Sequence, residues 1–480
     1  MSADGLIGGG CRLRDACRTQ GALGGVLAPL KRAALLLAAI STSLFAADGC
    51  ARTLYIANNG NDQNPGTMLA APLRTIDGAA RIALPGDIIE LRAGSYTGTT
   101  ISRPGSAQAW ITLRPHNKEK VKIFSARPGR PTLYFYHPTC DEYAPPGRPC
   151  QAMYWIIEGL EVEGSGAGGS EDYVVKIDTP SVKLIGNNLW GSAADIIKLV
   201  HTANDVEILN NEIHHPRAKP GANAQGVDIT GASRTRVAYN YVHDIPSIGM
   251  YAKGNARNTV FENNRVENIW SHGIMLGQET DAHRLRDGRY ETYDGVIRNN
   301  IIVSTGWSCF ATSSSRNVRI YNNSCYKTGG ELHGAVLVSN ESEVHQAGTQ
   351  IDIRNNIIHV DGDRPVVKIS NNALTDQSTL TMDNNIYWSH RGAQAVRFTW
   401  RDRGMESVAF DAWRKSGQDK ASLVVDPQYA DAVTLKIKSS SPAAGSGFNL
   451  ESVTVDYGGA SRACQTQKSI GAHQICPAGH

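Results

Sequence analysis

The sequence predicts an all-β solenoid, a stack of similar coils. Three observations carry that expectation. An apolar-x-x-Asn-x-apolar signature recurs eight times, with Asn188, Asn211, Asn240, Asn264, Asn300, Asn323, Asn356 and Asn385 as its shared position. Short alternating strands lie between the signatures, as at Val174 to Asp178, Gly226 to Thr230 and Gly249 to Lys253. Glycine is frequent, at 48 of 480 residues against 20 prolines, as many tight turns between ordered strands require.

The Asn spacings are 23, 29, 24, 36, 23, 33 and 29 residues, so the base coil is 23–24 residues long and the longer coils carry inserted loops. Each coil reads as strand, turn, strand, Asn turn, strand, loop. One coil cannot bury its inner face alone, but stacked coils can. Stacked Asn amides can bond one another and the turn backbone inside the stack. Leucine is sparse and no Trp-Asp repeat occurs, which argues against leucine-rich and propeller arrays.

The chain divides into a leader over 1–50, the solenoid over 51–400, and a helix with a closing segment over 401–480. In the leader, Lys31-Arg32 precedes the apolar run AALLLAAISTSLFAA (33–47) and a small-residue stretch suited to signal peptidase. The run is too short to span a bilayer, so a secreted or periplasmic chain is expected rather than a transmembrane one. Cys50 as a lipid anchor is the lesser expectation, because Asp48 fits that motif poorly. The stretch before Lys31 is either an extended leader or follows an upstream start codon.

Charged residues make up 19 %, against roughly 25 % in an average soluble chain. The net charge of +3 falls nearly to neutral once the leader's five basic and three acidic residues are removed, leaving 43 against 42. Nothing here calls for nucleic acid, and a monomer is expected. Six cysteines outside the leader fall as local pairs: Cys140 with Cys150, Cys309 with Cys325, and Cys464 with Cys476. Disulfides are expected for the first and last pairs in an exported chain. Cys309 and Cys325 fall on strands, where buried free thiols are expected. Zinc motifs such as CxxC and HExxH are absent.

Alternation along the first strand of each coil places Val175/Ile177, Ile197/Leu199, Val227/Ile229, Met250/Ala252, Ile274/Leu276 and Phe310/Thr312 inward. The opposite face then carries Lys176/Asp178, Lys198/Val200, Asp228/Thr230, Tyr251/Lys253 and Met275/Gly277 toward solvent, with Glu279 and Asp281 just beyond. Charge is thus concentrated on consecutive coils. Two large insertions, HHPRAKPGANAQ (214–225) and QETDAHRLRDGRYETYD (278–294), border the same strand and are expected to form opposite lips of a groove. Lys198, Tyr251, Arg284, Arg286, Arg289 and Tyr290 are candidate sugar-binding residues, by charge for carboxylates and by stacking for rings. Lys253 is the candidate general base and His272 the candidate acid; Lys253 in a plain surface salt ladder is the competing expectation. Asp228 is a candidate catalytic carboxylate. Asp228, Glu279 and Asp281 are candidate oxygen ligands for Ca²⁺, or equally the carboxyl pair of a hydrolase.

The repeat as a whole resembles the right-handed parallel β-helix of the pectate lyase superfamily. Both flanks are similar to segments of secreted β-helix polysaccharide lyases. The opening one is YIANNGNDQNPGT (55–67) with PLRTIDGAARIALPGDIIELRAGSYTG (72–98), where a short helix around Ile76–Leu84 would cap the open end. The closing one is Asp426-Pro427, SSSPAAGSG (439–447), Asp456-Tyr457-Gly458 and Ile470-Gly471-Ala472. Residues 403–417 read as an amphipathic helix packed on the solenoid. GMYAK (249–253) resembles a segment of family 9 polysaccharide lyases, and a Lys on a strand before an Asn-rich turn resembles family 6. The acidic run that follows in family 9 is replaced here by SHGIM (271–275), which removes its calcium ligands. The resemblance implies an exported lyase that cleaves an acidic, uronate-containing polysaccharide by β-elimination. A glycoside hydrolase and a non-catalytic carbohydrate-binding surface protein are the alternatives on this fold.

N-terminal sequencing of exported protein is expected to find residues 1–47 removed. A chain beginning near Met1 would contradict the leader assignment.

Overall fold

The computed structural model describes residues 51–141, 148–340, 342, 344–464 and 466–476. The leader, Cys50 included, lies outside the described residues. Within them the chain winds as a β-helix with three sides. Strands of successive coils pair side by side in register and in parallel, forming sheets of 12, 12 and 14 strands among the described residues. The chain visits the sheets in a fixed order. Val227–Thr230 belongs to a first sheet, Arg236–Ala238 to a second and Tyr241–Ile245 to a third, before Met250–Lys253 returns to the first. Within these three sheets, among the described residues, only the closing strand of the first, Met405–Val408, runs antiparallel to its neighbour; Tyr429–Asp431 and Lys436–Ile437 form a separate antiparallel pair.

The lumen is a continuous apolar core. Val175, Ile197, Val227, Met250, Ile274 and Phe310 stack through it in one file, all fully buried. Each is a residue that alternation turned inward. The open end near the start is covered by the helix Ile76–Ile82, with the Thr75 hydroxyl accepting from the Gly78 amide as its N-cap. At the other end only Phe410–Arg414 is helical. Met405–Val408 forms the closing strand instead, so the helix expected over 403–417 shrinks to little more than one turn.

The Asn ladder joins the second sheet to the third. Each ladder Asn offers its Oδ1 to both the backbone N–H and the Nδ2 of the Asn one coil earlier, at 2.9–3.1 Å from Asn187 through to Asn385. Its own Nδ2 also donates to a strand carbonyl of the preceding coil, as Asn264 does to Val237 at 2.9 Å. All polar groups of a buried turn are thereby satisfied.

Seven of the eight expected asparagines stand in this ladder, and the first member is Asn187, not Asn188. The backbone explains the shift. The residue before each ladder Asn has a positive φ: Gly186, Asn210, Tyr239, Asn263, Asn299, Asn322, Asn355 and Asn384. That left-handed position favours Gly or Asn, which is why most ladder sites read Asn-Asn. At Gly186-Asn187-Asn188 the glycine takes the turn, so the next residue enters the ladder and Asn188 starts the following strand.

Disulfides join Cys140 to Cys150 and Cys464 to Cys476, as expected. Cys309 and Cys325 are also joined, with Cα atoms 6.0 Å apart, so the expectation of free thiols there is corrected. Both side chains turn inward, and 16 residues of one coil carry them round the lumen to face each other.

Replacing Asn187 by Ala leaves the Leu160 amide, which donates to Asn187 Oδ1 at 3.1 Å, without a partner. The expected loss is about 1–3 kcal/mol in a urea unfolding experiment. Asn188→Ala, at a partly exposed strand position, is expected to stay within about 0.5 kcal/mol. Equal losses would contradict the ladder register.

Candidate functional site

The outward face of the first sheet is not a plain solvent face. Lys176, Lys198, Asp228, Tyr251 and Met275 pair in register along it, as alternation predicts. Yet Asp228 and Tyr251 are each only 1 % exposed, and Lys176, Asp178 and Met275 are buried too. Flanking loops rise on both sides and turn the face into the floor of a groove. Farther along, Tyr251, Met275, Ala311 and Leu337 form an apolar patch with Ile248.

The groove has a volume of about 630 Å³. Lys198, Asp228, Thr230, Tyr251 and Lys253 lie on its floor, and Glu279, Thr280, Asp281 and Arg284 on one lip. Gly169, Ser170, Glu171 and Tyr173 form the other lip with Ala193 and Ala194. Of the insertion 214–225, Asn223 lines this groove, and several of its other residues border a different one. A side branch of about 310 Å³ shares Lys198, Thr230 and Arg284 and runs toward His201, His283 and Arg286.

Asp228 is the hub of the floor. Its Oδ1 accepts from the Thr230 hydroxyl at 2.7 Å, and its Oδ2 accepts from the Tyr251 hydroxyl at 2.6 Å and from Lys198 Nζ. Lys198 Nζ also donates to Thr230 at 3.1 Å. Burial opposes the Asp228 charge, but Lys198, Lys253 and the Tyr251 hydroxyl outweigh it and hold the carboxyl below its usual range. Burial, and then the Asp228 charge, push the Tyr251 phenol well above its usual value, so it stays protonated as a donor.

Behind Asp228 stands Asp195, which the sequence reading missed. Burial and the adjacent Asp228 charge raise its carboxyl well above the ordinary range. Its Oδ1 accepts from the Gln225 amide at 2.9 Å. The two neighbouring carboxyls are thus shifted in opposite directions, Asp195 upward and Asp228 downward.

Lys253 is set apart from this network. Its register partner is Thr230, while Asp228 pairs with Tyr251. Its ammonium lies 5.1 Å from the centroid of the Tyr251 ring, and no hydrogen bond or ion pair engages it among the described residues. The Lys198–Asp228 ion pair is therefore real, and Lys253 is not a rung of it.

The long insertion is anchored from below by Glu291, which is fully buried. It accepts from the Gly254 amide at 2.7 Å, the Thr280 amide at 2.8 Å and the Thr280 hydroxyl at 2.8 Å, and it pairs with His345 at 2.9 Å. Glu279, Asp281 and Arg284 owe their place on the lip to this anchor. The other candidates lie elsewhere. Arg286 bonds His201 at 2.9 Å in the side branch. Arg289 donates to the Val344 carbonyl at 2.7 Å, away from the floor. Tyr290 is buried against Tyr293, its ring closed to a sugar. His272 is packed with Trp307 and His333, and burial lowers it to about 3. It is a neutral core histidine outside the groove.

The carboxylates do not fit Ca²⁺ as they stand. Both oxygens of Asp228 are taken by Lys198, Thr230 and Tyr251, while Glu279 and Asp281 are exposed on the lip. Among the described residues, the one group of three potential ligands with donor atoms within 4.8 Å of one another is His215, His243 and Asp244, outside this groove. No step is therefore routed through calcium.

Comparisons with known proteins agree with this architecture. A family model described as "Right handed beta helix region" matches residues 173–358. Pectate lyase L of Dickeya dadantii (strain 3937) is 31 % identical over 147 residues, covering 28 % of this chain and 33 % of that protein. Pectate lyase PEL9 of Emericella nidulans is 36 % identical over 100 residues, covering 20 % and 23 %. The chain thus spans a third or less of the length of these two relatives. Among solved structures, that of pectate lyase Pel9A aligns with a TM-score of 0.57 at 14 % identity over 88 % of this chain and 96 % of the other. The complex of XylC with xylose aligns with a TM-score of 0.53 at 12 % identity, over 88 % and 98 %. The chain is a right-handed parallel β-helix protein, similar in sequence to pectate lyases over part of its length.

Proposed function

We propose that the protein is an exported polysaccharide lyase that cleaves a uronate-containing glycan by β-elimination in the groove over the first sheet. One observation carries the proposal: among the described residues the amine of Lys253 makes no hydrogen bond or ion pair on the floor, beside a lysine that is already locked in an ion pair. A lone salt ladder has no use for an unpaired lysine at that place. The sequence similarity to pectate lyases supports the substrate class, and three disulfides support an oxidising destination. Among the described residues no helix is long and apolar enough to cross a membrane.

In this reading the uronate carboxylate faces Lys198 and Arg284. Lys253 removes the proton at C5. The electron pair moves into the carboxylate, where the cationic groove stabilises the developing charge. It then forms the C4–C5 double bond as the C4–O bond breaks, and the leaving oxygen takes a proton from water. Asp228 holds Lys198 and Tyr251 in place and does not itself transfer a proton. A hydrolase would need two carboxyls facing the sugar about 5–10 Å apart. With both Asp228 oxygens occupied, the observations favour that reading less.

Incubation with a panel of uronate polymers is expected to produce ultraviolet absorbance from the unsaturated product. Reducing ends without that absorbance would indicate hydrolysis, and neither signal would indicate a binding protein. Lys253→Ala is expected to lower turnover by roughly 10²–10⁴-fold, with stability within about 0.5 kcal/mol of the parent. Asp228→Ala strands Lys198 and Tyr251 and is expected to cost both activity and more than about 1 kcal/mol of stability. Full turnover in Lys253→Ala would remove the lysine from the mechanism.

A further inference from the structure

A second groove of about 710 Å³ lies at the corner where strands of the third sheet end. Trp270, His215 and Asp244 are in its wall. Beside it, a file of hydrogen bonds fixes the tautomer of three imidazoles. Asn188 points its Nδ2 at Glu212, 3.4 Å away, so its Oδ1 faces His214 Nε2 at 2.8 Å and His214 donates there. The other nitrogen of His214, Nδ1, is then a lone pair, and it lies 2.8 Å from His215 Nδ1, which must donate to it. That leaves His215 Nε2 as a lone pair, 3.6 Å from Asp244 Oδ2.

His243 arrives at the same oxygen by a separate route. Its Nε2 donates to Glu212 Oε1 at 3.2 Å, so Nδ1 is the nitrogen turned to Asp244. That nitrogen lies 2.6 Å from Asp244 Oδ2. The second oxygen of Asp244 is already bonded by the Asn268 amide. Two imidazole nitrogens and one carboxylate oxygen thus converge, and these atoms lie within 4.8 Å of one another. A proton on Nδ1 can hold the shortest of these contacts, and a metal cation that displaces it would be met by all three atoms.

We propose that His215 Nε2, His243 Nδ1 and Asp244 Oδ2 bind a divalent transition-metal ion of the zinc class, with the remaining coordination position open to water from the groove. Nitrogen donors select such an ion over Ca²⁺, which takes oxygen ligands. Around zinc, with ligand bonds of about 2.0–2.2 Å, the carboxylate must swing outward from its 2.6 Å contact, while the 3.6 Å from His215 Nε2 to Asp244 Oδ2 is already near a tetrahedral ligand spacing. Glu212 bonded to the far side of His243, and His214 to the far side of His215, are the outer partners that orient ligating imidazoles and fix their tautomers.

The test uses the full chain without a histidine tag, stripped with a chelator and titrated near neutral pH with zinc chloride by calorimetry and with cobalt chloride by visible absorption. One ion per chain is expected, with a cobalt spectrum of nitrogen-and-oxygen ligation. His215→Ala, at an exposed loop position, and His243→Ala are each expected to weaken zinc binding at least tenfold, in line with the roughly 10–100-fold worth of even outer partners. Lys253→Ala, in the other groove, is expected to bind zinc as the parent does. If His243→Ala fails to fold, His215→Ala alone decides. Absence of zinc binding, or binding unchanged in His215→Ala, would overturn the proposal and leave the cluster as a proton-held ion pair.

Discussion

The Asn ladder is the constraint on which the rest of the molecule depends. A parallel coil must turn sharply three times while keeping its backbone polar groups paired inside a stack that excludes water. From Asn187 to Asn356, the amide oxygen of the next asparagine satisfies the N–H of the turn. The last member, Asn385, is closed off differently. Its N–H donates to the Ser422 hydroxyl at 2.8 Å and its Nδ2 to the buried Asp419 at 3.3 Å, which also accepts from Trp413 and Tyr387. The closing segment is therefore tied to the ladder and not merely laid over the core. Because the ladder fixes one corner of the coils from Asn187 to Asn385, insertions among them leave the stack elsewhere, at the borders of the first sheet.

Register at that corner propagates to the groove. A shift of one residue would turn Lys198, Asp228 and Tyr251 into the lumen and bring Ile197, Val227 and Met250 out. With the register held, four polar side chains meet on one floor: Lys198, Asp228, Thr230 and Tyr251. Their mutual satisfaction allows a carboxylate and a phenol to be buried there. Asp195 stands beside this set, its carboxyl raised by burial and by the Asp228 charge. Lys253 stands outside this hydrogen-bonded set, with its ammonium over the Tyr251 ring.

Legibility followed periodicity. The coil length, the inward file from Val175 to Phe310 and the outward stripe stand on spacing and were readable, while the helical cap at Ile76 was legible through the resemblance of the opening segment. Asn188 was misplaced by one residue because apolar-x-x-Asn-x-apolar fits two frames at Gly186-Asn187-Asn188, and the deciding fact is which residue takes the left-handed turn. The outward stripe was readable, but its burial was not. The height of the loops over Asp228 depends on anchors such as Glu291, inside an insertion that has no period. Asp195 lies in the turn before its strand, where alternation stops. The Cys309–Cys325 disulfide depends on how one coil folds back across the lumen, which spacing along the chain does not state.

A uronate site assembled on the first sheet by ladder-held register, with Lys253 at its centre, is tested by a crystal structure of the Lys253→Ala variant soaked with a uronate oligomer. Sugar is expected over Tyr251, with a carboxylate against Lys198 and C5 above the vacated Lys253 position. An oligomer seated in the groove beside Trp270, with the first-sheet groove empty, would contradict it.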